Sequence, residues 1–170
     1  GPGAAPALGE VWAWNLDVSS AEGFAIAAED GSFTMTINSS EGDRIRLQAR
    51  LDGVRSVPVD VVRVEGGLVP LETTPCVEVP LEVEFDVNDT ATLVFLNACD
   101  RAVTLSDFSF RSMNGRFAVD EAEMRIEPGQ LRQVRAFVRT RLPAEDILRV
   151  QVIAEGFSED VFVSLIHVDM

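Results

Sequence analysis

Residues 77 to 87 read Val-Glu-Val-Pro-Leu-Glu-Val-Glu-Phe-Asp-Val. Alternation this strict suits an extended backbone, whose successive side chains point to opposite faces. It places Val77, Val79, Leu81, Val83, Phe85 and Val87 on one face and acids on most of the other, the pattern of a half-buried strand. The signature recurs at Phe33, Met35 and Ile37 against Thr34 and Thr36, and at Ile45, Leu47, Ala49 and Leu51 against Arg44, Arg46, Gln48 and Arg50. Val134, Ala136 and Val138 alternate with Arg135, Phe137 and Arg139, and Leu148, Val150 and Val152 with Arg149 and Gln151. Nowhere is there convincing helical spacing.

Turn chemistry cuts these runs short: Asp30-Gly31, Glu41-Gly42, Asp52-Gly53, Asn88-Asp89, Asn114-Gly115, Pro128-Gly129 and Glu155-Gly156. Short strands with such turns at regular intervals predict an all-β fold of sandwiches or barrels. Glu65 to Pro70, followed by Thr73-Thr74-Pro75, has the small residues and prolines of a linker. The chain is therefore expected to hold two tandem immunoglobulin-like β-sandwiches, residues 1–69 and 70–170. The first shows only about five strand signals where such a sandwich uses about seven. Either its first strand is missing, or a strand from elsewhere fills the gap, as in donor-strand assembly.

A formal charge of -14 excludes a nucleic-acid surface, which needs a basic face, and disfavours anionic membranes. Every basic side chain is Arg, a bias that codon usage explains more cheaply than selection for bidentate contacts. No apolar run approaches a membrane span. The opening Gly1-Pro2-Gly3 reads as a protease scar or an internal start, so a native leader is expected to have been removed.

Residues 77 to 168 resemble the HYDIN/ASH and choice-of-anchor D group of immunoglobulin-like domains. The resemblance rests on Leu81 to Phe85, Thr92 to Asn97, Val103 to Leu105, Gly115 to Val119, the turn Ile126 to Gln130, and Val134 to Val138. Asp86 stands where that group often has Gly. Residues 9 to 64 resemble, more loosely, bacterial immunoglobulin-like and carboxypeptidase-regulatory-type repeats, through Val11 to Asn15, Asp30 to Phe33 and Gly42 to Ala49. The resemblance implies stalks, spacers and adhesive modules without catalytic motifs.

Catalysis needs a nucleophile beside a base or paired carboxylates in a cleft. The single histidine, His167, lies on an alternating strand, and the acids fall mostly on outward strand faces. No enzyme is expected. Calcium is the one cofactor the loop acids Glu29, Asp30, Asp43, Asp86, Asp89 and Asp100, with Asn88, could hold, although turns favour the same residues for backbone reasons. Cys76 and Cys99 are too few for a zinc site, and a hairpin through Asn88-Asp89 would bring them together. A disulfide is expected, with a departure from ideal pairing because the two lie on mismatched faces.

Trp12 and Trp14 share one strand face, while Val11, Ala13 and Asn15 share the other. Packing in the core or at a domain interface is the favoured reading, and an exposed strip for sugars or protein the other. Residues 160 to 170 carry apolar groups on both faces, with Phe162, Ile166 and Val168 marking a second side that needs cover from another domain or subunit. These features predict a secreted or cell-surface structural or adhesive protein, which could self-assemble through strand edges into filaments. A carbohydrate-binding module using Trp12 and Trp14, or an accessory domain of a larger secreted enzyme, are the alternatives. A periplasmic location is the lesser alternative.

Overall fold

A computed structural model describes residues 3–71, 75–112, 115–140 and 143–168. Gly1, Pro2, Thr73, Thr74 and Asn114, which figured in the leader, linker and turn readings, lie outside the described residues. The chain is all-β, with no helix among the described residues, and divides into two compact units, Gly1–Thr73 and Thr74–Met170.

Unit 1 holds β1 (Glu10–Asn15), β2 (Glu22–Ile26), β3 (Arg44–Leu51), β4 (Val54–Arg55), β5 (Val59–Val64) and β6 (Gly67–Pro70). They form one antiparallel sheet in the order β2-β1-β3-β5-β6, with β4 beside the end of β3. Asp52 and Gly53, both at positive φ (51° and 80°), make the tight turn from β3 to β4. Gly67–Pro70, expected as linker, is instead an edge strand paired with β5. Gly66, at φ 88°, closes the turn, and at a sheet edge Pro70 can lack a donor without breaking a ladder.

The expected strand at Phe33, Met35 and Ile37 pairs with no strand among the described residues. Its alternation survives as burial: Met35 and Ile37, like Leu47, pack on the cluster of Ala13, Ile45 and Val61, while Thr34 and Thr36 face solvent. The segment passes over Gly23, where a Cβ would come within 3.1 Å of Met35 Sδ and 3.3 Å of the Thr36 carbonyl oxygen. A bare extended segment thus covers the sheet where a second sheet would stand.

Unit 2 is the two-sheet sandwich. It contains β7 (Val77–Glu78), β8 (Glu82–Glu84), β9 (Thr90–Asn97), β10 (Val103–Phe110), β11 (Phe117–Val119), β12 (Met124–Ile126), β13 (Leu131–Val138), β14 (Ala144–Ala154) and β15 (Phe157–His167). One sheet runs β12-β10-β14-β15-β8 and the other β11-β13-β9-β7. Between them lie Leu93, Phe95, Leu105, Phe117, Val134, Leu148, Val150 and Val163, all buried. Residues 77–87, read as one strand, prove to be two: β7 belongs to the four-stranded sheet, and β8 lies parallel to β15 in the other. Pro80 stands at the crossing, where it can donate to neither ladder. Each sheet ends on strands of two or three residues, which leaves little edge for another chain to extend.

Candidate functional site

The outer face of the unit 1 sheet gathers the chain's two tryptophans. Val11, Ala13 and Asn15 face inward and are buried, so Trp12 and Trp14 point outward and are half-buried. Of the favoured reading, packing in the core or at a domain interface, the core part is thereby corrected: the indoles lie on the face away from unit 1's core. The cause lies opposite: small Ala13 and Gly23 are needed where the Met35 segment presses on the sheet, and there is no room for an indole there. The two rings stack at 6.2 Å, Phe24 of β2 tilts against Trp12 at 4.8 Å, and Trp12 Nε1 donates to Glu10 Oε2. The Arg50 guanidinium lies 5.1 and 5.5 Å from the ring centres of Trp12 and Trp14, a cation–π arrangement.

Cross-strand register extends this face. Trp14 stands opposite Arg46, which stands opposite Asp60. Arg46, only 1% exposed, grips Asp60 with Nε and Nη2 at 2.7 and 2.8 Å. A bidentate pair satisfies the buried guanidinium and fixes β3 to β5. Beside it, Arg44 donates to Asp17 at 2.7 Å. The sequence reading missed Phe24 and Ile26, which are 50% and 53% exposed on β2. The signal was present in Glu22-Gly23-Phe24-Ala25-Ile26, an alternation whose small residues, not its large ones, face inward.

Both units anchor a strand end on a fully buried asparagine. Asn15 Oδ1 accepts from the amides of Asp17 and Val18, while its Nδ2 donates to the Asn38 carbonyl and to Asp43 Oδ2, tying down the unpaired segment. Asn97 Oδ1 accepts from the Cys99 amide, and its Nδ2 donates to the carbonyls of Arg101 and Ile126. This turned Cys99 amide also resolves the parity problem. Val77 pairs with Asn97, Ala98 N–H donates to the Cys76 carbonyl, and the chain leaves strand geometry before Cys99. Cys76 and Cys99 form a disulfide with Cα atoms 4.9 Å apart.

The remaining residues singled out from sequence serve local structure. Phe162 and Ile166 of β15 are buried but outside the sandwich core, on the face opposite Val161, Val163 and Leu165; Val168 lies past the strand end and is 45% exposed. His167 Nε2 meets Asp89 Oδ1 at 3.1 Å, with Phe85 edge-on to the ring. Asp86 accepts amides of Thr90 and Asn88, which hold its carboxyl below the usual range. Asp30 is lowered by hydrogen bonds from Ser32, and Asp100 by its pairing with Arg101. Asp43 accepts from Ser40 N–H and Asn15. Among the described residues no three of His, Cys, Asp or Glu cluster as a metal site would.

Fold and face together define an all-β protein with a two-sheet β-sandwich and, on its other unit, an aromatic and arginine-lined sheet face. No family model matches the chain, and no curated protein does. It is similar to a solved MSP family member of C. elegans, WR4, at 13% identity over 56% of this chain and all of that one, with a TM-score of 0.47. A Salmonella enterica SafA pilin in complex with the SafB chaperone matches at 16% identity over 57% of this chain and 56% of that one, TM-score 0.47. The seventh PapD-like (ASH) domain of human CEP192 matches at 14% identity over 64% and 96%, TM-score 0.47.

Proposed function

We propose that this chain is a non-catalytic interaction module of a secreted or cell-surface protein, in which unit 2 is the structural sandwich and unit 1 carries the binding surface. The observation that carries the reading is the uncovered part of unit 1's core side. Leu51, Val54 and Val59, with neighbouring Val57, are exposed, Val54 by 72%, next to the strip that Met35 and Ile37 cover. Apolar groups in this concentration favour a protein partner. The disulfide supports an oxidising compartment. A photo-crosslinking residue in place of Val54, in the native envelope or secretion, should yield a protein adduct. Equal labelling from Val87, a unit 2 turn residue 74% exposed, would overturn the reading.

The outward indoles favour a second reading, a carbohydrate-binding face. Against it, Arg50 already lies by both rings, so a sugar would have to displace the guanidinium. Glycan-array binding that is lost on Trp14→Ala would select this reading over the first.

A further inference from the structure

The β2 edge is open at Phe24 and Ile26, and its geometry states what can close it. Asn15 N–H donates to the Ala21 carbonyl, and Ala27 N–H to that of Gly9. Because antiparallel ladders alternate bonded and non-bonded pairs, Gly23 and Ala25 also turn their backbone groups toward β1. The amides and carbonyls of Phe24 and Ile26 therefore point away from the sheet. Among the described residues no backbone bond engages them: the 33–39 segment passes over the face at Gly23 and does not pair with the edge. The outward groups of Phe24 and Ile26 stand two residues apart, a spacing that another extended backbone matches. The side chains beside them, Phe24 and Ile26, are the exposed apolar ones.

We propose that β2 pairs antiparallel with β2 of a second copy of this chain, about a two-fold axis through Phe24. The proposal rests on the reading that unit 1 binds protein. Among self-pairing registers that oppose outward-bonding residues, this one keeps Glu22, Phe24 and Ile26 all within the strand. It sets Phe24 against Phe24 and Glu22 against Ile26, so no carboxylate faces its own copy. Opposed aromatic pairs stabilise a ladder and like charges weaken it. On the other face Gly23 meets Ala25, small enough to clear the Met35 segment. The isologous register is thus self-complementary.

Sedimentation of the whole chain should show reversible dimerisation between about 10 µM and about 1 mM, as suits an interface well below standard size. Phe24→Pro deletes an outward N–H that β1 does not use and should abolish the dimer with the circular dichroism unchanged. Ile26→Glu sets carboxylate against Glu22 at both ends and should weaken association by about tenfold. Adding Glu22→Lys to that variant should restore it, a rescue that no other contact surface gives. Amide exchange should slow at Phe24 and Ile26 as the dimer forms. A chain monomeric throughout, or a dimer indifferent to these variants, overturns the pairing. A protein adduct from position 54 in a monomeric chain would leave the broader reading standing.

Discussion

The two units solve one problem by opposite means. Unit 2 closes a core between two sheets, ends each sheet on very short strands and ties its first strand to Asn97's turn with a disulfide. Unit 1 has one sheet, a buried cluster of Ala13, Ile45 and Val61, and an unpaired segment for a lid. What unit 1 lacks in apolar cover it supplies partly through polar ties, Arg46 to Asp60 on one face and Asn15 to Asp43 on the other. Such ties hold strands together but leave apolar side chains and an edge exposed. Surface left over from folding is surface available for binding, so the less complete unit is the one expected to carry function.

The comparison can be broken in several ways. Ile45→Ala should cost about 2–5 kcal/mol, as should Leu105→Ala in unit 2. In unit 1, however, residue-resolved hydrogen exchange should show protection lost from the whole sheet, because Ile45 is the largest member of a buried cluster that otherwise holds Ala13 and Val61. Retained protection at β1 and β3 would show that the polar ties suffice. Reducing the Cys76–Cys99 bridge, which spans 23 residues, should lower unit 2 stability by about 2–4 kcal/mol. Chemical denaturation with and without reductant reads this, and an unchanged midpoint would make the bridge dispensable.

The smallest effect is acid dependence. The folded pKa values of Asp86 and Asp30 are lowered by turn hydrogen bonds. Their stabilisation is therefore present above the ordinary carboxylate pKa and is lost as pH falls through the lower folded value. Thermal midpoints measured downward from about pH 5 should show Asp86→Asn flattening that decline relative to the unaltered chain. An identical slope would remove Asp86 from the balance.

Much of this was legible in alternation and turns. The alternating runs at 44–51, 134–138 and 148–152 lie within β3, β13 and β14, the last two of which extend beyond them, and Asp52-Gly53 turns as its residue types require. Periodicity reports which side chains share a face, a property of the backbone alone. It does not report pairing. Met35 and Ile37 alternate as a strand would and bury as a strand would, yet pair with no strand among the described residues. Val77 and Val83 continue one pattern across Pro80 and enter different sheets. Nor does alternation say which face is inside. At Val11 to Asn15 alternation allows either face inside, and the segment crossing at Gly23 reserves the inner face for small residues. By itself the sequence determined that this protein is all-β, where its chain turns and which side chains travel together. Only the tertiary structure decided which face is buried and which edge stays open, because these depend on what segments distant in sequence place against each strand.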